Sequence, residues 1–149
     1  MNSPAEVIAF LQRHQPLSAE DENDAGVLAD LDAARKFCLG APIKESLPLW
    51  LGVFGPGDGG GVYQLVEDVV ATFPSGQVVA ELTRALEKPH ASVQYWCAQL
   101  VASFPDDRFV APLRGLLRVA DRDTRDAIVT ALEAIGSEAA VGVLGDWRP

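Results

Sequence analysis

The sequence predicts an all-α protein: a short α-α superhelix, or solenoid, of about four helix pairs. Three observations predict it. Sliding the chain on itself by 31 residues without a gap sets Val62–Glu87 against Val93–Arg118, with nine identities among 26 positions, namely Val62/Val93, Val70/Val101, Ala71/Ala102, Phe73/Phe104, Pro74/Pro105, Val79/Val110, Ala80/Ala111, Leu82/Leu113 and Leu86/Leu117. Ordinary composition gives roughly two by chance. Within each copy the apolar residues follow the helical period, and a proline followed by short polar residues divides the copy into two helices. A unit of about thirty residues made of two helices cannot bury its apolar face alone, so neighbouring units must stack.

The elements follow in order. Ser3-Pro4-Ala5-Glu6 is a capping box with proline at the first helical position and starts a helix over 4–14. A second helix spans 24–39 and closes at Gly40, and a third spans 46–54. These N-terminal helices, 1–54, diverge from the repeat: matching Ile43, Leu47 and Leu51 to Val78, Leu82 and Leu86 takes a shift of 35. The extra residues fall in a glycine-rich linker, 55–61, which reads as a flexible hinge. It has no following Lys-Ser/Thr and no preceding strand, which a phosphate-cradling loop requires. The clear repeats cover 62–149. In the middle copy Val93, Cys97, Leu100, Val101 and Phe104 form an apolar stripe; Pro105-Asp106-Asp107 breaks and restarts the chain; Phe109, Val110, Leu113, Leu116 and Leu117 line the second helix to about Val119. Asp121-Arg122-Asp123-Thr124 makes the next turn and cap. The third copy, from Thr124, keeps only Val141 and Leu144 as identities.

With 12 Lys and Arg against 21 Asp and Glu, the 149-residue chain carries a formal charge of −9, and 48 % of it is hydrophobic. It reads as one domain, 1–149, that buries a sizeable core. The acidity argues against nucleic acid as a partner, since phosphate neutralisation needs clustered Lys and Arg, and favours a basic or neutral protein surface. No early apolar run is long enough for a signal-peptide core, and none approaches the roughly eighteen residues of a membrane span. Cys38 and Cys97 sit inside helical apolar patterns, which with the rest places the protein in the cytoplasm. Catalysis has little material. His14 and His90 neighbour no nucleophile motif, and no His-x-x-x-His or Cys-x-x-Cys spacing is present, so neither a metal site nor a cofactor is predicted and the chain is read as no enzyme.

The stretch Val93-x-x-x-Cys97-Ala98-x-x-Val101, followed by Phe104-Pro105-Asp106-Asp107-x-x-Val110-x-Pro112-Leu113-x-x-Leu116-Leu117, resembles a HEAT repeat, in the short form of phycobilin-lyase-like proteins. The resemblance implies a right-handed superhelix whose concave side is lined by the helices starting near Val62, Val93 and Thr124. It also implies a ladder of turn Asp and helix Arg. Asp121 or Asp123 with Arg125 fits that ladder, whereas the middle copy has His90, Ser92 and Gln94, and the upstream copy Gly59, Gly61 and Tyr63.

On that concave side the register lines up Gln64, Tyr95 and Asp126; Asp68, Gln99 and Thr130; and Thr72, Ser103 and Ala134. The residues expected to bind a partner are Gln64, Asp68, Tyr95, Gln99, Asp126, Thr130 and Glu133. Tyr95 is a rigid anchor of the kind enriched at interfaces; Trp96 reads either as another or as core filler. Asp68, Asp126 and Glu133 would steer a cationic protein, while Glu20 to Asp24 read as a solvated run. The expected function is a protein-protein interaction module. Size, acidity and the resemblance together suggest an immunity protein that neutralises a basic toxin. The alternative is an enzyme or lyase-like accessory factor, acting on a nucleobase or a tetrapyrrole in a pocket near Tyr95, Trp96 and Asp126. The chain is expected to be a monomer or a weak homo-oligomer.

Overall fold

The computed structural model describes residues 1–147, and among them every regular element is helical. Arg148 and Pro149, at the end of the third copy, lie outside the described residues. Helix α1, Pro4–Arg13, begins on the Ser3 cap, whose side chain accepts from the Glu6 N–H at 3.2 Å, but the expected box does not close, because Glu6 accepts from the Asn2 N–H at 2.7 Å; Val7, Phe10 and Leu11 are buried. A short helix that the hydrophobic pattern does not announce, α2 (Ala19–Glu22), follows on a reciprocal cap between Ser18 and Asp21. Helix α3, Ala25–Gly40, is capped by Asp24. Helix α4, Leu47–Leu51, stops at Gly52, three residues short of the expected 54.

The repeat region supplies the remaining helices: α5 (Val66–Val70), α6 (Ser75–Leu86), α7 (Ala91–Val101), α8 (Val110–Leu117), α9 (Arg122–Ile135) and α10 (Glu138–Asp146). Pro74 is the N-cap of α6, and Asp106 opens the 3-10 turn that leads into α8. The apolar stripes face inward as their spacing predicts: Val93, Cys97, Leu100 and Val101 on α7, and Val110, Leu113, Leu116 and Leu117 on α8, are all buried.

The helices stack in two layers. Helices α4, α6, α8 and α10 follow one another in one layer, α7 lies along α9 in the other, and α6, α8 and α10 bridge to them. This is an α-α solenoid. Its N-terminal end is less regular: α5 is short, is preceded by 3-10 turns over 59–61 and 63–65, and packs on α3 and α4, so the long α7–α9 contact has no counterpart between α5 and α7. One continuous core nevertheless runs from Val7 to Ala140.

Candidate functional site

Tyr95 and Gln99 are four residues apart on α7, and Asp126 and Thr130 are four apart on α9, so each pair shares one helix face. The packing of α7 on α9 brings those faces together. Tyr95, Gln99, Asp123, Asp126, Ala127 and Thr130 line a shallow trough of about 240 Å³. Gln99 Nε2 donates to the Tyr95 hydroxyl at 3.2 Å, and the Thr130 hydroxyl donates to the Asp126 carbonyl at 3.1 Å, leaving the Asp126 carboxylate turned to solvent. Glu133 is exposed further along α9. Gln64, on the 63–65 turn, and Asp68, on α5, are also exposed but line neither the trough nor the cavity beside it.

That adjoining cavity, of about 770 Å³, opens where the glycine loop, the turn before α7 and the first turn of α9 meet. Tyr95 and Asp123 belong to both depressions, so the two are continuous. Trp96 lines the cavity while its ring is fixed within an aromatic cluster: stacked on Phe54 at 5.8 Å between centroids, and edge-on to Tyr63 at 5.6 Å and Tyr95 at 5.3 Å. Its indole N–H donates to the Gly57 carbonyl at 3.3 Å. Trp96 thus packs inward and lines a surface cavity at once, where the sequence left the two as alternatives.

The loop 55–61 is tied down at several points. Tyr63 is buried; its hydroxyl accepts from the Gly55 N–H at 2.8 Å and donates to Glu22, whose other carboxylate oxygen accepts from the Gly59 N–H at 3.1 Å. Burial foremost, and then the Glu22 carboxylate, push the Tyr63 phenol far above its ordinary pKa, so it is a fixed donor. Two glycines are required here. A Cβ on Gly59, which has φ +60°, would stand 2.6 Å from the Tyr63 ring, and one on Gly55 would stand 2.6 Å from the Leu17 carbonyl. Glu22 thus leaves the solvated run in which the sequence placed it, and the linker read as a hinge is hydrogen-bonded. A carboxylate reaching a loop 37 residues away has no local sequence signal.

The charge of the two depressions is one-sided. Asp58, Asp121, Asp123 and Asp126 line them, with His90 and without any Lys or Arg. A third depression, between α8 and α10, sets Arg114 and Arg118 against Asp107 and Asp146. Asp121 is the N-cap of α9, and the Thr124 N–H above all holds its carboxyl below the ordinary range. Among the described residues no ion pair joins Asp121 or Asp123 to Arg125, although the Arg125 charge also helps to lower the Asp121 carboxyl. Arg125 instead stands over the Trp147 ring, 5.9 Å from its centroid.

Two of the groups with catalytic chemistry, Cys97 and His14, lie outside both depressions. Cys97 is buried, with its thiol pushed up to about 12 by desolvation, and His14 pairs with Asp21 at 3.2 Å, away from the trough. Among the described residues no group of three or more His, Cys, Asp or Glu is placed to hold a metal ion, and no helix is long and apolar enough to cross a membrane.

Against known proteins, a family model described as HEAT repeats matches residues 79–148. The match is to HEAT repeats at large and does not single out the phycobilin-lyase-like form. No curated protein and no solved structure matches the chain.

Proposed function

We propose, from the match of residues 79–148 to HEAT repeats, that the chain is a protein-binding module that seats a basic partner segment in the trough between α7 and α9. HEAT repeats mediate protein-protein interaction by presenting an extended surface rather than a closed pocket. The observation that carries the reading is the lining of the trough and its adjoining cavity, with four aspartates and no Lys or Arg. In a chain of charge −9, the balanced groove between α8 and α10 shows that acidity is not spread evenly over every depression. An acidic groove steers a cationic partner by long-range attraction and disfavours an acidic one. Tyr95, held at its hydroxyl by Gln99, supplies a rigid contact at the centre.

That segment belongs to a protein with a basic face. A small acidic protein that occupies such a face blocks it, which supports the reading of a neutralising immunity protein. Placing a photocrosslinking amino acid at Gln99 or Thr130, on the trough, and at Arg114, on the α8 and α10 side, tests the site. Crosslinks to one basic protein from Gln99 and Thr130 but not from Arg114 support the module as described. Crosslinks from Arg114 alone would overturn it.

A further inference from the structure

The cavity beside the trough differs from it in kind, being roomier and walled by rings. Trp96 and Tyr95 meet edge to face at 5.3 Å, and Pro16, Pro56 and Pro89 line the same space. Resting on the reading of a basic partner, we propose that this cavity receives one arginine side chain of that partner as its anchor, its guanidinium lying against the Trp96 and Tyr95 rings and facing Asp121 and Asp123.

Four features converge on that ligand. The indole of Trp96 is locked by its bond to Gly57 and by stacking on Phe54, so the aromatic wall exists before a ligand arrives and loses little entropy on binding. Planar guanidinium stacks on aromatic faces and is more weakly hydrated than ammonium, which suits a ring-walled cavity to arginine over lysine. Prolines have no N–H, so three wall residues offer no backbone donor to an anion. Finally, the charge favours a cation even after the helix ends are counted. Helices α7 and α9 both begin at the cavity, at Ala91 and Arg122. Each N-terminus carries the equivalent of about half a positive charge, which offsets about one of the three carboxylates of Asp58, Asp121 and Asp123. None of the three is ion-paired with a cation among the described residues.

The test uses the full chain and two probes, capped hexa-arginine and capped hexa-lysine peptides, titrated by calorimetry and by the indole N–H signals in NMR. The arginine peptide is expected to bind about tenfold more tightly than the lysine peptide and to shift the Trp96 indole resonance, as a cation-aromatic contact of ordinary strength gives. The double variant Asp121→Asn, Asp123→Asn keeps a capping oxygen for α9, so it leaves the fold intact while removing two charges. It is expected to weaken the arginine peptide about tenfold or more. Equal binding of both peptides, or an unmoved Trp96 signal, overturns the arginine pocket and leaves the basic partner standing. Failure of both peptides to bind overturns the pocket and the basic partner together.

Discussion

Glu22 accepts a hydrogen bond from Tyr63, a residue 41 positions away, and with its other oxygen holds the Gly59 N–H at 3.1 Å. This pair fastens the glycine loop to the N-terminal helices, and through the Gly57 carbonyl that loop fixes Trp96. A contact between two remote residues thereby sets the wall of the cavity on α7.

Tyr63→Phe keeps the ring and removes the hydroxyl, leaving the buried Gly55 N–H without its acceptor. The cost is about 1–3 kcal/mol, read by urea denaturation. Amide exchange at Gly55 and Gly59 accelerates in the variant; unchanged exchange at both would show that the loop holds itself.

Asp121→Ala removes the cap of α9 and costs about 0.5–2 kcal/mol, whereas Asp121→Asn is close to neutral. A parallel measurement of thermal midpoints separates the two. Equal losses would mean that the charge, and not the cap geometry, matters.

The acid side of the stability curve follows from the same groups. Asp121 and Asp21 both lie below the ordinary carboxylate range, through the Thr124 N–H and the Ser18 N–H respectively. Their pKa values are lower folded than unfolded, so their stabilisation is complete above about pH 4 and is lost as pH falls through the folded values. Urea midpoints measured against pH are expected to fall below about pH 4, and less steeply in Asp121→Asn. A midpoint flat down to strong acid would contradict the assigned bonds.

Both cysteines are buried, with Cys97 pushed up to about 12 and Cys38 raised by the same desolvation. At mildly alkaline pH neither forms enough thiolate to react. A thiol reagent is expected to label the native chain slowly and both cysteines at once in denaturant; rapid native labelling would mean that α3 or α7 opens locally.

What the sequence made legible is what repeats or alternates locally. The shift of 31 and the stripe Val93, Cys97, Leu100, Val101 locate α6 to α9 because a stacked repeat must place the same residue types at the same depth. The placing of Tyr95, Gln99, Asp126 and Thr130 around one trough follows from that register. Gln64 and Asp68 do not join them, because the chain before α5 turns as 3-10 helix and α5 settles on α3 and α4. The short helix α2 had a local signal, the Ser18-x-x-Asp21 cap, that the apolar period passes over, whereas the bond from Glu22 to the loop and the part of Asp58 and Asp121 in the cavity were illegible, since each depends on remote contacts that no period encodes.

The most direct measurement is the affinity for the crosslinked partner of two double variants, Asp123→Lys with Asp126→Lys on the trough, and Arg114→Glu with Arg118→Glu on the α8 side. All four residues are exposed, so both variants keep the fold. Charge reversal in the trough is expected to weaken binding a hundredfold or more, about 2.7 kcal/mol, while the α8 variant binds as the parent does. Full affinity in the trough variant, with loss in the α8 variant, would contradict the account.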